Sequence, residues 1–242
     1  VGAAALHRIK DGSEVRLHEA RVYAGERCLA EGVEQTPESV AEALIQAQAG
    51  IAHQLEAFAA NTVEFLHREY DLLLGGEGLP EIGVDLDGRP VVVVAGGYDH
   101  KVELAGLKRY ISEHRPVLIG VGGGADALAA AGYQPDVVVG DPTGISRQAL
   151  SCDTIVVPAL AEGHAPGLDH AQDLGVRAVT VTTSANPEDV ALLLAHHGGA
   201  SLIVAVGLTA TLAEFLDRGR SGSNASTFLT RLRLGSTLVD GA

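Results

Sequence analysis

A series of short apolar runs, Val91–Val94, Val117–Ile119, Val137–Val139, Thr154–Val157, Ala178–Val181 and Leu202–Val206, recurs through the last two-thirds of the chain. The runs lack strict apolar–polar alternation, so each strand is predicted to be buried on both faces, the condition of a parallel sheet lying between helices. Helical spacing over Asp99 to Ser112, Asp126 to Ala131, Pro187 to His197, Leu208 to Asp217 and Ser226 to Arg233 supplies the covering layers. The expected fold class is therefore α/β: an open, mostly parallel, three-layer sheet with an N-terminal β arm and a long helix. A further strand-like run, Thr237–Val239, follows the last helix.

The first 76 residues have a different rhythm. Short patches at Val15–His18, Arg21–Tyr23 and Cys28–Ala30, separated by polar and glycine positions, predict a small hairpin or β arm. Thr36-Pro37 then makes a helix start, the threonine oxygen capping free amides and the proline occupying the first helical position, and Gly75-Gly76 makes a stop. Leu44, Ile51, Phe58, Phe65 and Leu72 recur every seven residues, and Val40, Ala47 and Leu55 widen the stripe. A helix of that length extends about 57 Å, so its apolar face either pairs with a second copy or lies across its own core. Gln54, Asn61, Thr62 and Glu69 interrupt the seam and exclude an uninterrupted coiled coil. The expected organisation is a β arm over 1–35, a long helix and dimerisation element over 36–76, and an α/β domain with a C-terminal extension over 77–242.

Lys and Arg total 17 against 31 Asp and Glu, a net charge of −14, which argues against a broad electrostatic grip on nucleic acid. The two cysteines, Cys28 and Cys152, stand far apart and outside any ligand cluster, so neither a disulfide scaffold nor a cysteine-rich zinc site is expected. There is no run of 18 apolar residues, and the expected compartment is the cytoplasm. The ten histidines form no metal signature, and neither Ser146 nor Ser221 has a locatable base for a nucleophilic triad.

In a parallel sheet the loops at the carboxyl ends of the strands gather at one edge, where helix N-termini favour anions. Three sequences belong there: 95–101, with Gly96-Gly97-Tyr98; 120–126, with Gly122-Gly123-Gly124-Ala125-Asp126; and 140–146, with Gly140-Asp141-Pro142-Thr143. Glycine clusters let main chain approach phosphate closely, although none here completes a P-loop or dinucleotide signature; tight chain reversal is the alternative. Asp141 follows its strand and could hold Mg²⁺ or ligand water. Asp136 precedes the same strand, and the two α-carbons are roughly 16 Å apart at about 3.3 Å per residue, so they need not share a metal. Asp126 and Asp189 each open a helix, as cap-region acids or as groups facing a cleft. Arg220 could clamp phosphate bidentately with Ser221 adding a hydrogen bond, against a solvated turn.

Several segments carry a family resemblance: Gly122-Gly-Gly-Ala-Asp, Pro135-Asp-Val-Val-Val-Gly-Asp, Ala165-Pro-Gly-Leu, Glu188-Asp-Val-Ala-Leu-Leu-Leu, Glu214-Phe-Leu-Asp-Arg-Gly-Arg and Ser226-Thr-Phe-Leu-Thr-Arg-Leu. Through them the C-terminal two-thirds resembles the thiamine pyrophosphokinase catalytic fold, and nearly the whole chain resembles the SteA-like cell-division proteins. The pyrophosphokinase resemblance implies pyrophosphate transfer from ATP to thiamine, with Asp136, Asp141 and Asp189 as matching metal positions. The chain departs from that pattern. Val121-Gly122-Gly123-Gly124 stands where Ala-Asp-Gly-Gly is usual, Gly140-Asp141-Pro142-Thr143-Gly144 stands where Gly-Asp-x-Asp-Ser is usual, and the late Gly-Gly-Arg is missing after Val206-Gly207. Losing paired anions weakens the case for Mg²⁺-assisted transfer.

The expected function is thus a non-catalytic or nucleotide-sensing scaffold in bacterial cell division or cell separation. The alternative is Mg-dependent pyrophosphate transfer from ATP to thiamine or a related small-molecule alcohol. The expected ligand residues are Gly122, Gly123, Gly124, Asp126, Asp141, Arg220 and Ser221, binding Mg²⁺ with a nucleotide or pyrophosphate. The SteA-like resemblance also implies a coiled-coil membrane partner resembling SteB and a membrane anchor at the division site, this chain being the cytosolic portion of a longer, homodimeric protein.

Overall fold

The structure, a computed structural model, describes residues 14–18, 21–32, 36–160, 162–208 and 225–241, with 41–54 described as backbone. The chain divides into two compact units, Val1–Gln54 and Leu55–Ala242.

In the first unit, β1 (Val15–His18), β2 (Arg21–Ala24) and β3 (Arg27–Glu31) form an antiparallel sheet in the order β1-β2-β3. The expected β arm is therefore present. Arg21 and Glu31 face each other across strands, with Nε 2.8 Å from Oε1, but both are exposed and the pair contributes little. Helix α1 (Pro37–Arg68) starts as its sequence predicts: the Ser39 amide donates to Thr36 Oγ1 at 3.1 Å and the Thr36 amide donates to Ser39 Oγ at 2.9 Å.

The second unit is built on seven strands: β4 (Pro90–Val94), β5 (Val117–Val121), β6 (Val137–Val139), β7 (Thr154–Ala159), β8 (Ala178–Thr182), β9 (Leu202–Val206) and β10 (Leu238–Asp240). Their order is β10-β9-β4-β5-β6-β7-β8, and every pairing is parallel. Val91 to Val94 are all fully buried because the central strand turns alternate residues to opposite covered faces. Val92 and Val94 pack with Leu104, Ile111 and Leu128 on one face; Val91 and Val93 pack with Leu192, Leu193 and Phe65 on the other. Each buried valine contributes about 1.5–3 kcal/mol.

The covering helices are α3 (His100–Gly106), α4 (Lys108–His114), α5 (Gly123–Ala130), α6 (Leu168–Asp173), α7 (Pro187–His197) and α8 (Ala225–Leu234). The single helix expected over Asp99 to Ser112 is two, divided at Leu107 just after Gly106. The helix expected from Leu208 to Asp217 falls, after Leu208, outside the described residues.

The long helix does not run unbroken to Gly75. It breaks at Glu69 (φ −110°, ψ 22°) and resumes as α2 (Tyr70–Gly75). Glu69 is the cause and the anchor. Its side chain is buried, and its carboxylate accepts from Thr183 Oγ1 at 2.9 Å, the Ser184 amide at 2.7 Å and Ser184 Oγ at 2.6 Å. The acid that interrupts the apolar seam therefore docks on the loop after β8. Glu69→Ala leaves those three donors without their acceptor, and urea unfolding should show a loss of about 2–4 kcal/mol. A variant within 0.5 kcal/mol of wild type would contradict the anchoring role.

Candidate functional site

The order of the sheet fixes where a ligand can sit. From β4 the chain steps outward through β5, β6, β7 and β8, then returns with β9 on the other side of β4. The strand order thus reverses between β4 and β9, and the carboxyl edge at such a switch point is where open α/β sheets form their ligand crevice.

Around this crevice the glycine turns touch. A Cβ on Gly124 would overlap the Val94 carbonyl, and one on Gly97 would overlap the Gly207 carbonyl. Gly122 takes φ 48°, ψ −123°, a conformation a side chain resists, and its amide donates to the Val139 carbonyl at 3.1 Å. This puts the turn after β5 directly against the end of β6. A Cβ on Gly140 would lie 3.6 Å from the Gly122 nitrogen and 4.0 Å from Pro187 Cβ. The turns at Gly122 and Asp141 thus share one edge, as the sequence predicts.

The carboxylates have separate fates. Asp126 Oδ1 accepts the Ser146 amide at 3.1 Å and so ties α5 to the loop after β6. Asp141 Oδ1 accepts the Thr143 amide at 2.9 Å and the Thr143 hydroxyl, closing the short 3₁₀ turn Pro142–Gly144. These Thr143 bonds hold the Asp141 carboxyl below the usual range, and it stays exposed beside Gly167, where an added Cβ would overlap its Oδ1. Asp189 sits in the first turn of α7 with 1% exposure, its Oδ2 accepting from Ser226 Oγ at 2.6 Å, Thr227 Oγ1 at 3.0 Å and Asn186 Nδ2 at 3.3 Å. Burial pushes it up to about 6, against the pull of those hydroxyls.

Asp136 is not brought to this edge. It stands at the amino end of β6, where its Oδ2 accepts the Leu118 amide at 2.7 Å, and burial raises its pKa. Gly122, Gly123, Gly124, Asp126 and Asp141 therefore gather together, Asp189 lies buried below the neighbouring turn, and Asp136 is at the opposite edge. Arg220 and Ser221 lie outside the described residues. Among the described residues there is no group of three or more His, Cys, Asp and Glu able to hold a metal. A lone carboxylate such as Asp141 could hold Mg²⁺ only where a phosphorylated ligand and water completed the ion's shell.

Sequence reasoning did not find Glu103, whose Oε2 accepts the Gly207 amide at 2.6 Å and pins the turn after β9. Nothing local marks a partner 104 residues away. A second concavity, a cleft of about 540 Å³, opens at the amino edge between residues 79–86, Gly76 and His197. It is away from the glycine turns.

No family model and no curated protein matches the chain. Among solved structures it is similar to thiamine pyrophosphokinase from Bacillus subtilis, at 19% identity and a TM-score of 0.39, over 62% of this chain and 60% of that one. It is also similar to a protein from Lactobacillus plantarum, at 15% identity and a TM-score of 0.34, over 62% and 59%. The chain spans about three-fifths of the length of each.

Asp189 gives a pH test. Its folded pKa lies above its ordinary 3.8, so its contribution to stability is fully present below about pH 3.8 and is lost as pH rises through about 6. Asp189→Asn should therefore gain stability relative to wild type between pH 4 and 6.5, by on the order of a few kcal/mol, and level off above. A stability difference that stays flat over this range would contradict the burial argument.

Proposed function

We propose that the carboxyl edge of the seven-stranded sheet binds a Mg²⁺-associated nucleotide or another pyrophosphate-bearing small molecule. The observation that carries this reading is the convergence of side-chain-free turns at Gly122 to Gly124 and Gly140 with the exposed, deprotonated Asp141. Such turns let main-chain amides approach phosphate oxygens. Asp126 and Asp141 would repel a bare anion, so a divalent cation must come with it.

Two roles share this binding step. Mg-dependent pyrophosphate transfer from ATP to thiamine or a related small-molecule alcohol is supported by Asp141, an exposed carboxylate beside the glycine turns whose bonds from Thr143 favour its ionised form. A nucleotide-sensing scaffold in bacterial cell division, cytoplasmic and anchored at the division site, is supported by the SteA-like sequence resemblance and by Asp189, whose carboxylate is committed to Ser226 and Thr227. In that second role the apolar repeat of α1 pairs two copies. Leu55 (46%) of that repeat is exposed, whereas Phe58 meets Phe228 edge-on at 5.4 Å and Phe65 is buried in the chain's own core. A SteB-like coiled-coil membrane protein is the partner of the same scaffold. Among the described residues no helix is long and apolar enough to cross a membrane.

MgADP at a hundredfold excess over its Kd should raise the unfolding midpoint by roughly 5–10 °C. Asp141→Asn, which keeps the acceptor for Thr143, should remove most of that rise, and omission of Mg²⁺ should do the same. An equal rise in wild type and variant would contradict the assigned role of Asp141. Turnover of thiamine with MgATP separates the roles: product formation selects transfer, and binding without product selects sensing.

Leu55→Asp gives a separate check on pairing. Light scattering should change from a dimeric to a monomeric mass, and an unchanged mass at matched concentration would remove α1 from the interface.

A further inference from the structure

Tyr98 is 88% exposed, in the turn between β4 and α3, and Val102, in the first turn of α3, is 74% exposed. A tyrosine ring left almost wholly in water is not explained by packing within the chain. The residues on either side of it, by contrast, are held by hydrogen bonds. The Gly97 carbonyl accepts from the His100 amide at 3.4 Å and is met by His100 Nδ1, and the Asp99 carbonyl accepts the Val102 amide at 2.9 Å. Gly97 presses on Gly207, and the Gly207 amide is held by Glu103 of α3. The ring is therefore presented from a turn braced on both sides of the β4–β9 divide, where a sheet of this order opens its crevice.

The turn lies one strand from the glycines. β4 and β5 are hydrogen-bonded neighbours, about 4.8 Å apart, and Gly124 packs on the Val94 carbonyl, four residues before Tyr98. The turn that carries Tyr98 therefore adjoins the turn that would meet the phosphates of such a ligand. A flat heteroaromatic group gains most there: a π face stacks on tyrosine, Val102 extends the apolar surface, and little ordering cost remains because the turn is already braced.

We infer that Tyr98 is the stacking platform for the aromatic ring of the ligand, so that this edge selects an aryl or nucleobase pyrophosphate over inorganic pyrophosphate. This deepens the ligand reading proposed above and rests on it. Tyr98 recognises the ring, while the turns around Gly122 and Asp141 take the charged end.

Calorimetric titration of the full chain with Mg-pyrophosphate and with MgADP tests the two parts separately. Wild type should bind MgADP more tightly than Mg-pyrophosphate. Tyr98→Ala should weaken MgADP about tenfold and leave Mg-pyrophosphate within twofold, and Tyr98→Trp should restore MgADP. Equal MgADP affinity in wild type and Tyr98→Ala, with Mg-pyrophosphate still bound, would overturn the stacking role and leave the ligand reading standing. Binding of neither compound by wild type would overturn both.

Discussion

Where β4 ends, stretches of main chain meet with no side chain between them: Gly124 against the Val94 carbonyl, and Gly97 against the Gly207 carbonyl. Everything at the carboxyl edge depends on this close approach. It sets α5 down against the central strand and holds the turns after β4 and β9 together at the divide. It is possible only because β4 is buried on both faces, so that the two helical layers close over it and the turns alone reach solvent. An alanine at position 124 would drive its methyl into a backbone oxygen that the sheet cannot move, which is why the glycine there is a packing requirement before it is a ligand feature.

Around this frame the same residue type is used in three ways. Asp136 ends in a main-chain hydrogen bond at the amino edge, Asp189 is buried under three donors, and Asp141 closes a tight turn while remaining open to solvent. Burial raises the pKa of the first two and hydrogen bonding to Thr143 lowers that of the third, so environment and not sequence spacing sets how each carboxyl group titrates. Of these three, Asp141 is the one that is both exposed and at the carboxyl edge. Glu69 and Asp189 perform a related structural task. Each is a buried acid matched to hydroxyl groups from a distant part of the chain: Glu69, between α1 and α2, fastens them to the loop after β8, and Asp189 fastens α7 to α8.

Much of this architecture is legible in the sequence because its signals are local. The apolar runs place Val137–Val139 and Leu202–Val206 with their observed limits and the other core strands within a residue or two. Pro187 to His197 is a helix of that extent, and Thr36 caps α1 through Ser39. Gathering of the Gly122 and Asp141 turns follows from strand order alone. What is not legible depends on partners far along the chain. The break at Glu69 is set by Thr183 and Ser184, 114 and 115 residues later, although a charged residue in an apolar seam is its one visible trace. The break at Leu107 and the short helix α6 carry too few residues for periodicity to register. The separation of Asp136 from Asp141 could be estimated from strand rise, but the burial of Asp189 against Ser226 could not.

Hydrogen exchange of backbone amides with and without Mg-pyrophosphate tests the central claim most directly, because it reads the peptide groups that the glycine turns expose. The account predicts slowed exchange over residues 122–126 and 140–146, with residues 75–86 around the amino-edge cleft unchanged. Slowing confined to 75–86, or no slowing at saturating ligand, would contradict it.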